Sequence, residues 1–302
     1  DDYDDQEGPF KTNKSIDVEC EKLREELGGG NLGYPKPQNF NSGDKSFNQS
    51  KNKPLKPNSM NVPNLTSILC NENESTVQAP PQEIIDKINF IFNSMSKNNI
   101  NEKSNELKII LSNENIIKWF SNFFIVNRVS AENNNHQIYN ELISMIDSKD
   151  LNLLLYKDTV LFIKRLLASE NLSKDNKEKN VLKNLGSWLG IMTLAKNKPI
   201  LAKDLDIKDI IFEAFENGKL MAIVTFVCRI LDHSAKTKVF HPKNPWIQAI
   251  LSVLAELYFK PYLKNSLKFE IEKIFKTLEL DLNNFPQSRL LDNLVVCKDS
   301  PD

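Results

Sequence analysis

The chain has 302 residues, 40% of them hydrophobic, with 39 Lys+Arg against 40 Asp+Glu. A balance so near neutrality excludes the simple electrostatic case for binding nucleic acid or a membrane surface, though not a local patch. No apolar run reads as a bilayer span, and no signal peptide is read at the start.

Residues 1–78 read as a low-complexity, mostly disordered tail. The segment opens on the acidic run Asp1-Asp2-Tyr3-Asp4-Asp5 and continues through a Lys/Asn/Pro/Ser stretch from Pro35 to Pro63. Such a composition buries too little apolar surface to offset the entropy of ordering its backbone. Within it, Ser15 to Leu27 predicts a short helix, and Val62 to Leu69 is a short apolar patch. Gly28-Gly29-Gly30-Asn31-Leu32-Gly33 matches the dinucleotide fingerprint letter by letter. That motif works only between a strand and a helix N-terminus. Here it follows a helix-like stretch and runs into Tyr34-Pro35, so it reads as a helix stop. Because the chain opens on Asp1 rather than Met, a piece of a longer protein is expected.

At Pro80-Pro81 the character changes, and residues 79–292 read as one helical domain. Ile84, Ile88, Ile91 and Met95 share one helical face. Leu107, Ile110 and Leu111 mark a short second helix. Asn115 to Val129, with Trp119, Phe120, Phe123 and Phe124, is a third, and Gln137 to Ile146 a fourth. Leu151 to Ala168 is a long fifth. Asp175-x-x-Glu178 reads as a capping box for a sixth helix carrying Leu182, Leu185, Trp188 and Leu189. Asp206 caps a seventh that Gly218 stops. Met221 to Leu231, apolar nearly all round, is a central eighth. Asn244-Pro245 starts a ninth, which Pro261 ends. Leu267, Ile271, Ile274, Phe275 and Leu278 build a tenth. Residues 293–302 are a C-terminal tail.

Nothing alternates with period two, so no sheet is predicted. Short links make successive helices antiparallel. Ten of them fit an all-α, HEAT-like α-solenoid of about five antiparallel helix pairs, with an orthogonal bundle as the competing arrangement.

Chemistry is hard to find. Cys20, Cys70, Cys228 and Cys297 lie far apart, without metal-ligand spacing, and read as free thiols in a reducing compartment. The three histidines, His136, His233 and His241, have no second ligand at metal spacing. Cys228 sits in the most apolar helix, where an inert buried thiol is the default. Glu213/Glu216 and Glu270/Glu272 read as solvated helix faces. No catalytic, cofactor-binding or metal-ligating residue is named, and no enzyme is expected. Gly186 and Gly190, inside a strong helical pattern, read as a close helix–helix approach.

Longer motifs carry a resemblance. They are Leu182-Lys-Asn-Leu-Gly-Ser-Trp-Leu-Gly190, Thr193-Leu-Ala-Lys-Asn-Lys-Pro199, Asn244-Pro-Trp246, Leu254-Ala-Glu-Leu-Tyr258 and Leu267-Lys-Phe-Glu-Ile-Glu272. Asn127-Arg-Val-Ser130 with His136 and Tyr139 adds to them. Together, over about residues 76–292, they resemble the central MIF4G-type domain of the largest scaffold subunit of the Ccr–Not mRNA deadenylation complex.

The resemblance implies a MIF4G fold without catalytic activity. It implies docking of a Caf-type deadenylase, which carries a Ccr-type nuclease, and of a DEAD-box RNA helicase on a separate face. Other Ccr–Not subunits would bind through the rest of the chain; no membrane and no direct RNA contact are expected. Cytoplasmic localisation follows, with P-bodies and the nucleus as further compartments. The helicase face maps to Arg128, Glu132, Asn134 and His136. This chain reads Glu132-Asn-Asn-Asn-His136 where Glu-Pro-Asn-Phe-His is the family pattern. For the deadenylase face, the nominees are Lys196, Lys198, Pro199, Pro242 and Asn244. Two other readings stay open: a translation-initiation MIF4G module that binds a helicase, and an RNA-binding α-solenoid.

Overall fold

Ten α-helices run through residues 78–294, the part of the chain that this computed structural model describes, with no strand among those residues. They are α1 (Gln82–Ser94), α2 (Ile100–Ile110), α3 (Glu114–Phe124), α4 (His136–Ile146) and α5 (Lys149–Ala168). After them come α6 (Asn176–Met192), α7 (Ile207–Asn217), α8 (Leu220–Leu231), α9 (Pro245–Phe259) and α10 (Asn265–Thr277). The Ser15–Leu27 helix, the Val62–Leu69 patch and the six-residue glycine motif lie outside the described residues.

Side-chain oxygens start half of these helices by accepting otherwise orphaned backbone N–H groups. Asn113 accepts from Asn115 N at 3.0 Å, Ser148 from Leu151 N at 3.2 Å, and Asp206 from Lys208 N at 3.0 Å. Asn244 accepts from Trp246 N at 2.9 Å, with Pro245 in the first turn. Gly218 ends α7 at φ 67°, a conformation that costs other residues a Cβ clash.

Two local expectations are corrected. Asp175 caps α6 (2.7 Å to Lys177 N), but its own N–H bonds Asn171 O at 2.8 Å. Glu178 therefore does not close a capping box and is buried. The predicted third helix also does not run unbroken to Val129. After Phe124 it widens into a π turn, Ile125–Val129, where Ser130 N reaches back five residues to Ile125 O at 3.0 Å. The extra residue lets Ile125 and Val129 both bury, while Arg128 turns onto α1.

The helices form two layers. α2 packs on α4, α4 on α6, α6 on α8 and α8 on α10; beside them α3 packs on α5 and α7 on α9. The pairs α1–α2, α5–α6, α7–α8 and α9–α10 also lie side by side. This succession is a solenoid, not an orthogonal bundle. Each pair hides its apolar face only against its neighbours, so the core is continuous along the stack.

α6 and α8 approach most closely. A Cβ on Gly186 would lie 2.7 Å from the Phe226 ring, and one on Gly190 would lie 2.7 Å from Ile230 O. Only glycine admits both contacts, as expected for a packing role. Trp188, Tyr139, Phe120, Phe124, Phe162 and Phe226 are fully buried around this axis. Rings of that size dominate core energetics. At the C-terminal end, buried Glu256 on α9 accepts from Leu290 N (2.9 Å) and Leu291 N (3.0 Å), strapping residues 288–291 to the stack.

Candidate docking surfaces

The residues from Arg128 to His136 form one hydrogen-bonded platform at the α3–α4 turn. Arg128 donates from Nη1 to Glu132 Oε1 and from Nη2 to Asn89 Oδ1 on α1, both at 3.0 Å. Its guanidinium also lies over the Phe92 ring, 5.4 Å from the centroid. Glu132 further accepts from the Tyr139 hydroxyl and from Asn135 Nδ2. Burial raises the Glu132 pKa, but the bonds from Tyr139, Asn135 and Arg128 outweigh it and leave the carboxyl below its usual range. Burial and the same carboxylate push the Tyr139 phenol up.

His136 lies beneath this platform. It is 2% exposed, donates from Nε2 to Val129 O at 2.8 Å, and meets Trp188 edge-on. Burial holds it below the usual histidine range. Of the four residues nominated for a helicase face, His136 is therefore core, and the Arg128 side chain is only 14% exposed. Glu132 is half-buried, and Asn134 is exposed on the 3-10 turn Asn133–Asn135. The sequence could not separate these roles, because a histidine that bonds a backbone carbonyl looks like one that points outward.

The second set of nominees comes together. The turn Lys196–Pro199 follows α6, and the segment 236–244 leads into α9. Asn197, in the left-handed region at φ 56°, accepts from both Lys238 N and Val239 N at 2.9 Å. Asn244 donates to Val239 O at 2.9 Å. Lys196, Lys198, Pro199, Pro242 and Asn244 thus edge one continuous loop pair, all of them half-buried. Trp246 packs against the core from this edge, with Phe240 edge-on to it. Asn197, which joins the two loops, was quoted in a sequence motif but not nominated.

A third surface was missed. α1 and α2 enclose an open groove of about 440 Å³, lined by Asp86, Lys87, Phe90, Ile91, Glu106, Ile109 and Ile110. Ile109 (75%) and Phe90 (63%) are the most exposed large hydrophobic residues in the described structure. Ile110 packs on the core-facing stripe that apolar periodicity marks, whereas Phe90 and Ile109 lie off that stripe and carry no such signal.

The described residues offer little for catalysis. They contain no group of His, Cys, Asp and Glu able to hold a metal ion. Cys228 is fully buried, and desolvation drives its thiol pKa up, away from nucleophilic behaviour. His233, against Ser187 Oγ at 3.2 Å, has its pKa pushed down to about 4 by burial, too low for a base at neutral pH. No described helix is long and apolar enough to cross a membrane.

Residues 76–300 match the family described as the CCR4-NOT transcription complex subunit 1 CAF1-binding domain. The CCR4-NOT transcription complex subunit let-711 of Caenorhabditis elegans is 37% identical over 228 residues, 73% of this chain. The general negative regulators of transcription subunit 1 of Schizosaccharomyces pombe and Saccharomyces cerevisiae are each 34% identical, over 72% and 71% of the chain. The chain spans only about a tenth of the length of these relatives, 9% of the worm protein and 10% of each yeast one. A family match that takes in all ten helices, together with relatives at this identity, makes this chain a member of the CCR4-NOT subunit 1 CAF1-binding domain family.

Proposed function

We propose that the chain is a non-catalytic scaffold domain that docks a CAF1-type deadenylase for shortening mRNA poly(A) tails. Family membership supports the partner, and one observation supports the place: the apolar α1–α2 groove, lined by the exposed Phe90 and Ile109. A protein interface needs apolar anchors that lose water on binding. The lysine-edged loop pair is less suited, so we place the deadenylase on the α1–α2 face. Cytoplasmic work in mRNA decay belongs to the same reading. The test is a pull-down of the same organism's CAF1-type subunit. The 302-residue chain should retain it, and a Phe90→Ser, Ile109→Asp double variant should lose it. Failure of the unaltered chain at micromolar concentration would sink the reading.

A second docking event, of a DEAD-box helicase linked to translational repression, is supported by the Asn133–Asn135 turn. The turn is exposed and held rigid from below by Arg128, Glu132 and Tyr139. Asn135, where the family pattern has Phe, is tied to Glu132 at 2.9 Å. Asn134→Ala should weaken helicase capture and leave deadenylase capture unchanged; equal loss of both would refute separate faces.

A further inference from the structure

The near-neutral total charge conceals an uneven distribution. Residues 193–202 and 233–255 contain no Asp or Glu. They carry Lys196, Lys198, Lys236, Lys238 and Lys243, and the Asn197 bonds bring these onto the one loop pair. Lys236, Lys238 and Lys243 are exposed, and Lys196 and Lys198 half-buried. Among the described residues, no carboxylate lies within ion-pair distance of any of the five. Lys196 meets only the Ser144 hydroxyl, at 3.4 Å.

Like charges gathered at one edge repel one another and attract an anion. Burial holds the Lys196 pKa below its usual value, and the charge on Lys198 lowers it further. Among the described residues, the cluster is therefore uncompensated. Rings lie among the cations: His241 and Trp246 are both partly exposed, and Trp246 stands edge-on to buried Phe240.

We propose that this loop pair binds the phosphate backbone of single-stranded RNA. Two features favour RNA over an acidic protein segment. The cations are all lysines, point charges that suit a repeated phosphate; fixed carboxylates in a protein interface are more often met by the arginine fork. The rings beside them offer stacking faces that any base can use. This proposal does not depend on where the deadenylase docks. Overall neutrality argued against RNA only because net charge averages over the whole molecule.

The test is fluorescence anisotropy of a labelled 20-nucleotide oligo(A) with the 302-residue chain. Each phosphate neutralised on a single strand contributes a slope of about −0.7 in log affinity against log salt, so five lysines predict about a 100-fold loss between 50 and 200 mM salt. A Lys196→Glu, Lys198→Glu, Lys238→Glu variant should bind at least about tenfold more weakly. Lys174→Glu with Lys177→Glu, at the far end of α6 and about 25 Å away, should bind as the unaltered chain does. His241→Ala should weaken oligo(A) about fivefold or more and leave a polyglutamate probe unaffected. Absence of saturable binding at 50 mM salt would overturn the proposal, as would equal loss in the two charge-reversal variants. Polyglutamate binding as tightly as oligo(A) would overturn it in favour of an acidic protein segment.

Discussion

Two charged regions of this molecule look alike in sequence and behave in opposite ways. The Arg128 platform holds its charges inward: guanidinium, carboxylate, phenol and amide satisfy one another, and a histidine packs beneath. The lysine loop pair holds its charges outward, with no carboxylate among the described residues to answer them. The first region is built to be rigid and the second to be available. A charged residue near a surface is a docking candidate only after its intramolecular partners have been counted.

The largest effect should come from the packing axis on which both regions are mounted. Gly190→Ala would drive a Cβ to 2.7 Å from Ile230 O and from the His233 ring. Backbone at that distance cannot yield cheaply. After the helix-propensity gain, a loss of about 3 kcal/mol is expected, seen as a melting temperature about 10 °C lower. An unchanged melt would mean that α6 and α8 are not locked together.

Acid should distinguish the regions next. His233 is pushed down to about 4 by burial, and His136 is lowered in the same direction. The unfolded chain, with ordinary histidines near 6.5, then binds more protons than the folded one. Stability is fully present above about pH 6.5 and falls as pH drops toward 4, by up to about 3 kcal/mol for His233. Below about 4.5 the Glu132 carboxylate, lowered in the fold, adds a further loss as it protonates. Denaturant melts across pH 4–7 measure this slope, and His233→Gln should flatten it.

Arg128→Ala tests the platform directly. It removes the Glu132 ion pair, the Asn89 bond and the contact over Phe92, and should cost about 2 kcal/mol in a denaturant melt. A variant as stable as the unaltered chain would return Arg128 to the surface. The smallest effect belongs to the loops. Lys196→Glu with Lys198→Glu should change stability by no more than about 0.5 kcal/mol, because neither lysine has an ion-pair partner among the described residues to lose. A large destabilisation there would erase the contrast between the two regions.

Much of the fold was legible in the chain itself. Helix starts at Asp206 and Asn244 are local events, set by a side chain and the two or three N–H groups that follow it. Apolar periodicity placed ten helices and their buried faces for the same reason, since a helix repeats every 3.6 residues whatever it packs on. The two interior glycines announced a close approach by costing helix propensity without local benefit. Family membership too was written in contiguous motifs.

What tertiary structure decided was which polar residues face water. His136 bonds Val129 O only because a π turn brings that carbonyl over the ring, and Arg128 turns inward only because Asn89 and Phe92 on α1 receive it. Asn197 joins two loops 41 residues apart through Lys238 N, and thereby gathers lysines that no sequence window contains together. Glu256 found its partners in a strap 34 residues later. Local sequence sets a residue's helix and stripe, but the free energy of a charge depends on what lies within a few ångströms of it. In a solenoid, those neighbours come from the next helix pair.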